Sequence, residues 1–129
     1  MLDRNMLIGI FLAKGNFLAK IELSETTTIG YHIRLESNIS LRTKEMKEAL
    51  SRTLTMYGLK HSRSGSQIRL SRKSTTEIVN MIPRSLHHLN SRLVTFRTVL
   101  DLVEDKQHKT LDGLNRIIEI LYGESDESN

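Results

Sequence analysis

The chain of 129 residues has no cysteine, a single proline and few aromatics, three Phe and three Tyr among them. Without cysteine there is no disulfide framework, no thiolate metal site and no cysteine nucleophile, a usage that fits a reducing compartment. No apolar run approaches the roughly 18 residues that a membrane span needs. The opening residues do not follow the order of a secretory leader: Asp3 and Arg4 precede only a short apolar stretch, and no small-residue cleavage site follows. These absences point to a soluble, intracellular protein (cytoplasm or nucleoid) with no membrane partner. The length suits one domain, 1–122, able to bury its own core. An acidic, disordered tail, 123–129, is expected to follow.

Charge is present and unevenly placed. Lys and Arg number 19 against 15 Asp and Glu, a net +4. Residues 30–73 carry ten bases (Arg34, Arg42, Lys44, Lys47, Arg52, Lys60, Arg63, Arg69, Arg72, Lys73) and three acids (Glu36, Glu45, Glu48), a local surplus of +7. A surplus concentrated in one stretch suggests a polyanion partner.

The periodicities give an order of elements. Met6 to Lys14 reads as a short helix with no polar face, because Leu7, Ile8, Ile10, Phe11 and Leu12 leave none. Such a helix must be buried on most sides. Its small residues, Gly9 and Ala13, lie four apart on one face that lets another backbone come close, and Gly15 breaks the helix. Residues 17–24 then alternate, with Phe17, Ala19, Ile21 and Leu23 on one side and Leu18, Lys20, Glu22 and Ser24 on the other. Residues 29–41 repeat the pattern, Ile29, Tyr31, Ile33, Leu35, Ile39 and Leu41 against His32, Arg34, Glu36, Asn38 and Ser40. Period two with β-branched residues marks half-exposed strands, and the polar stretch 24–28 supplies a turn between them.

Thr43 is placed to cap a helix to about Tyr57 with the stripe Met46, Ala49, Leu50, Leu54, Tyr57, stopped by Gly58. A shorter hairpin, 59–71, turns at Ser64-Gly65-Ser66, with Ile68 and Leu70 inward and Gln67, Arg69 and Ser71 outward. Ser74 and Glu77 form a capping box for a helix that Pro83 closes. Two more helices follow, one with the stripe Leu93, Phe96, Leu100, Val103 and one capped by Thr110 with Leu111, Leu114, Ile117, Ile118 and Leu121. The fold class is α+β: one αββαββα unit with extra C-terminal helices.

The nine residues Leu7-Ile8-Gly9-Ile10-Phe11-Leu12-Ala13-Lys14-Gly15, with Phe17 two beyond, resemble the LAGLIDADG motif of homing endonucleases at Leu7, Gly9, Ala13, Gly15 and the following aromatic. The order of hairpin, helix, hairpin, helix also resembles that family, as do the Asn-Ser-Arg-Leu and His-Lys-Thr-Leu helix starts at 90–93 and 108–111. The resemblance covers roughly residues 5–121. It implies a homodimer in which two motif helices pack through Leu7, Gly9, Ile10 and Ala13. It also implies a saddle of four strands per copy over the DNA major groove, and a roughly palindromic double-stranded DNA site.

Carried onto the outward strand faces, the resemblance nominates Lys20, Glu22, His32, Arg34, Glu36, Asn38, Gln67 and Arg69 for base edges. Arg and Lys suit guanine, Asn and Gln adenine, and Glu can accept from cytosine. Lys60, Arg63, Arg72 and Lys73 are nominated for phosphates, which position without specifying. One departure stands out. The eighth motif residue, the family's metal-binding acid, is Lys14 here. An ammonium cannot ligate Mg²⁺, which takes hard oxygen ligands, and neither Asp3 nor Glu22 lies at that place.

The expectation is therefore sequence-specific duplex binding without cleavage, with no catalytic residue, no metal and no cofactor. The alternatives are an active metal-dependent nuclease, for which Mg²⁺ would be the cofactor, an RNA-binding intron-splicing cofactor, and an αβ domain whose helix meets a protein partner. Against the RNA role, the outward strand positions lack aromatic stacking platforms, Tyr31 having inward parity. The charge surplus in 30–73 speaks against the protein-partner role. Elsewhere chemistry is sparse. Adjacent His87 and His88 do not face one ligand, His61 and His108 read as surface residues, Gly65 stands alone rather than in a phosphate loop, and no serine has an acid–histidine partner at a recognisable spacing.

Overall fold

A computed structural model of the chain describes residues 2–24 and 30–123. Ile29, most of the 24–28 turn and the tail from 124 onward lie outside the described residues. Within them the order is α1 (Arg4–Lys14), β1 (Asn16–Leu23), β2 (Tyr31–Ser40), α2 (Lys44–Met56), β3 (His61–Ser64), β4 (Gln67–Leu70), α3 (Arg72–Met81), α4 (Ser91–Glu104) and α5 (Leu111–Ile118). Short 3₁₀ turns at Arg84–Leu89 and Gln107–Lys109, and a π-turn at Glu119–Gly123, were not expected from the sequence. The arrangement is the expected α+β unit. No helix among the described residues is long and apolar enough to cross a membrane.

Helix α1 starts two residues earlier than its apolar run suggests. Asp3 Oδ1 accepts from the Met6 amide at 2.8 Å, so the cap sits three residues ahead of the first apolar side chain. The helix is also less enclosed than an all-apolar sequence predicts. Leu7 and Phe11 are fully buried and Ile8, Ile10 and Leu12 half-buried, but Met6 is 50% exposed and Gly9 and Ala13 face solvent. Gly15 ends the helix for a reason other than left-handed backbone. Its φ is −66°, and a Cβ there would lie 2.4 Å from the Phe11 carbonyl oxygen and 2.9 Å from the Phe17 ring. The glycine is needed for close approach, not for a positive φ.

The strands form one antiparallel sheet of order β1-β2-β4-β3. One face is buried: Phe17, Ile33, Leu35, Ile39, Ile68 and Leu70 are each at most 6% exposed. Ser37 shares that face, and its hydroxyl meets that of Thr75 on α3 at 2.8 Å, a buried pair that satisfies both groups. The alternation fails at the far end of β1, where Leu23 is 92% exposed despite its inward parity, and along the edge strand β3, where Arg63 is exposed opposite Ile68.

Thr43 caps α2 as expected, accepting from Met46 N at 3.2 Å, although Met46 itself stays 40% exposed. That helix lies along the second hairpin: Ser51 Oγ meets His61 Nε2 at 2.7 Å, and Lys47 Nζ donates to the Gly65 carbonyl. The capping box expected at Ser74 is displaced. Ser71 is the cap, accepting from the Ser74 amide at 3.4 Å, and Ser74 is buried inside the first turn. The helix begins immediately after β4, so the residue free to cap it is the one that leaves the strand.

All three phenylalanines meet at one junction. The rings of Phe11 and Phe17 are 6.3 Å apart and those of Phe17 and Phe96 5.7 Å, joining α1, β1 and α4. Beside them Asn90 works in both directions. Its Oδ1 accepts from Leu93 N at 3.1 Å, capping α4, while its Nδ2 donates toward the carbonyls of Phe11, Leu12 and Gly15 at 3.4, 3.2 and 3.0 Å. One side chain thus closes the start of α4 and the end of α1, supplying partners for groups that helices leave unpaired.

Asn90→Asp keeps the acceptor for α4 but removes the donor and sets a carboxylate against three carbonyl oxygens. It is expected to cost about 1–3 kcal/mol, read as a lower urea midpoint with an unchanged slope. A variant as stable as the parent would show that the amide does not hold the two helix ends together.

Candidate nucleic-acid interface

The registers place the outward side chains on a common surface. Lys20 faces Arg34 and Glu22 faces His32 across β1 and β2. Asn16, Asn38, Arg69 and Ser62 form a row across all four strands, and Gln67 lies between Ser40 and Ser64. All eight nominated base-reading residues (Lys20, Glu22, His32, Arg34, Glu36, Asn38, Gln67, Arg69) therefore share the face turned away from the helices, exposed or half-buried.

The nominated phosphate contacts divide. Lys60, from the loop before β3, lines a shallow cleft on this face with Arg34, Glu36 and Arg69. Arg63 pairs with Ile68 and so takes the helix-side parity of the edge strand, away from the outward face. Arg72 and Lys73 open α3. Lys73 remains beside Lys60 across a small cleft, whereas Arg72 is close enough to His108 to perturb it electrostatically. The +7 surplus of residues 30–73 is likewise only partly on the face. Lys44, Lys47 and Arg52 belong to α2, which packs behind the second hairpin and also carries Glu45 and Glu48, so that helix holds a net +1 of it.

Within the face the charges are paired. Arg34 Nη1 donates to Glu22 Oε2 and Nη2 to Glu36 Oε2, each at 3.2 Å, and His32 Nε2 lies 3.2 Å from Glu22 Oε1. The Arg34 hydrogen bond, with its charge and that of His32, holds the Glu22 carboxyl below the usual glutamate range. The hydrogen bonds and charges of Glu22 and Glu36 in turn raise Arg34 further above its already high value.

At the end of α1 the strand face meets the helix junction. Lys14 is exposed in the last turn, where a cation is favoured by the helix carbonyl end. A cleft there is lined by Lys14, Asn16, Asn90 and Arg92, and Arg92 Nη1 donates to Asn16 Oδ1, which in turn belongs to the four-strand row. Arg92 was not nominated from the sequence, although it lies within the Asn-Ser-Arg-Leu helix start at 90–93. This donor set contains ammonium, guanidinium and amide groups and no carboxylate, so it does not fit a Mg²⁺ ion.

The α1 surface offers Gly9 and Ala13 openly. A Cβ built on Gly9 would meet nothing within 4 Å. Ile10 is half-buried and Leu89, which lines the cleft with Ala13, is 60% exposed. Leu7, nominated with them as an interface residue, faces the other way and has no surface left to offer a second copy.

The histidines are less free than expected. His61 is half-buried between Ser51 and the Leu59 carbonyl. His87 is buried, with Nε2 2.9 Å from the Ile82 carbonyl. His108 is half-buried, and burial with Lys109 and Arg72 nearby lowers its pKa. Among the described residues no three His, Asp or Glu side chains are grouped to hold a metal ion.

Comparison with solved structures identifies the fold. The homing endonuclease I-TnaI superposes with a TM-score of 0.71 over 92% of this chain and 85% of its own, at 21% identity. The LAGLIDADG meganuclease I-CpaMI, bound to uncleaved DNA, gives 0.69 over 93% of this chain at 22% identity, and I-SmaMI, bound to cleaved DNA, gives 0.67 over 93% at 21%. The chain spans only 43% of the length of each of those two proteins. No protein-family sequence model matches the chain, and no curated protein matches it in sequence. The chain has the LAGLIDADG homing endonuclease fold.

Glu22 is expected to titrate below the usual glutamate range by side-chain NMR, and Arg34→Ala to move it back up. Because the folded pKa is depressed, this carboxylate stabilises the fold above the ordinary glutamate pKa and loses that contribution as the pH falls through the lowered value. An unshifted Glu22 would mean that the pair is not formed in solution.

Proposed function

We propose that two copies of this chain pair through the open Gly9–Ala13 face of α1 and bind a roughly palindromic double-stranded DNA site inside the cell without cutting it. The observation that carries this reading is the single exposed sheet face. It presents eight side chains suited to base edges, bordered by Lys14, Lys60 and Arg92, in a fold shared with proteins solved on DNA. Pairing is supported by the vacant surface over Gly9, which lets a second helix backbone approach closely, and by the apolar Met6, Ile10 and Leu89 around it. It is supported too by length: two of the DNA-bound structures are more than twice as long as the region this chain matches.

Hydrolysis of a phosphodiester with metal assistance needs an ion that generates hydroxide and stabilises the leaving oxygen. At the end of α1 the chain supplies a cation instead of ligands. In a paired molecule both copies of that position change together. Lys14 and Arg92 then serve as phosphate contacts, and in the absence of DNA the two Lys14 ammonium groups repel each other across the pair.

The purified chain is expected to bind one selected duplex with an affinity that falls steeply with salt, and to leave it intact in Mg²⁺ or Mn²⁺. Nicking of any duplex by the pure protein would favour an active nuclease instead, and preference for structured RNA in direct competition would favour the splicing role. Gly9→Leu is expected to abolish pairing by sedimentation while the single chain melts no lower than before, since the new Cβ meets nothing in its own copy and leucine is the better helix former. Lys14→Asp is expected to introduce Mg²⁺ or Ca²⁺ uptake in calorimetry; no uptake would mean that the rest of a metal site is gone as well.

A further inference from the structure

The paired charges on β1 and β2 divide the reading face into two electrostatic regions. Lys20 and Arg34 are balanced by Glu22 and Glu36, so with His32 neutral this part carries no net charge. Next to it, among the described residues, Arg69 and Lys60 have no carboxylate within ion-pair distance. An arginine free to swing would serve any phosphate. This one is held from two strands at once, by Glu22 diagonally across the β1–β2 ladder and by Glu36 two residues along its own strand.

Donor accounting shows what the arrangement leaves available. A guanidinium has five N–H groups. Arg34 commits one from Nη1 and one from Nη2 to the two carboxylates, so three remain, enough for the two parallel bonds that a guanine edge accepts through O6 and N7. A phosphate approaching the same fork brings a full negative charge against two carboxylates already 3.2 Å from it, and like charges at that range repel. A base edge brings no formal charge. The carboxylate oxygens can also accept from the N4 amino group of the cytosine paired with that guanine.

We propose that the Glu22–Arg34–Glu36 clamp is a specificity device that bars Arg34 from the DNA backbone and reserves its remaining donors for a G·C pair in the major groove. The proposal rests on the reading of this face as a duplex-binding surface. It makes Glu22 and Glu36 positioning residues whose effect is on discrimination, not on raw affinity.

The test uses the full chain. A duplex is selected from a random pool with the unaltered protein, and binding to it and to an unrelated duplex of equal length is measured across a salt series. The selected site is expected to contain a G·C pair whose replacement by A·T matters for the parent and no longer matters for Arg34→Ala. The double variant Glu22→Gln, Glu36→Gln keeps side-chain volume and frees Arg34. It is expected to bind the unrelated duplex more tightly, to steepen the dependence of log K on log salt by about one per copy, and to lower the ratio of selected to unrelated binding about tenfold or more. Arg34→Lys keeps the charge but loses the fork, and is expected to lose the same ratio. An unchanged salt slope and ratio in a double variant that melts like the parent would overturn the clamp, leaving the ion pairs as ties between strands. Failure of the unaltered chain to bind any duplex would instead overturn the reading of the face itself, and the clamp with it.

Discussion

The amide of Asn90 is the contact on which the geometry of the rest depends. An α-helix ends with carbonyls that lack partners and begins with amides that lack them. Here one side chain meets both needs for two different helices, and three phenylalanine rings fill the space beside it. The end of α1, the start of α4 and the first residue of β1 are thereby fixed in one place. Lys14, Asn16 and Arg92 come from three separate elements, yet they line a common cleft because this junction brings those elements together.

The same junction explains why α1 can be apolar all round without being swallowed by its own chain. Leu7 and Phe11 anchor it to the core, and the sheet and α4 occupy that side. The face with Gly9 and Ala13 is left over. Charge follows a comparable division of labour. The sheet's outward face is not the uniformly cationic saddle that a +7 surplus suggests, since Arg63 turns the other way, Arg72 and Lys73 open α3, and Arg34 is held by Glu22 and Glu36.

Most of the architecture was legible because period two and period 3.6 are strong signals when one face is buried. Strand parity assigned all eight outward candidates to the face turned away from the helices. What the sequence concealed were effects of neighbours in space. The displaced cap at Ser71 arises because β4 runs directly into α3. Arg63 follows its pairing with Ile68 and not its charge. His87 looked like half of an adjacent pair but is a buried hydrogen-bonding group, and Arg92 gains its interest only from a partner 76 residues away. Leu23 has the right parity for the core, but nothing among the described residues covers it, so it stays exposed.

The emptiness over Gly9 has an evolutionary side. A position that touches nothing in its own chain can change without disturbing the core, and helix propensity alone would steadily favour replacing glycine there. Drift at that residue would leave the packing of the single chain untouched while filling the open surface over α1. Its retention as glycine across a lineage would therefore record pressure exerted by a second molecule, and its loss would mark the point where that pressure ceased.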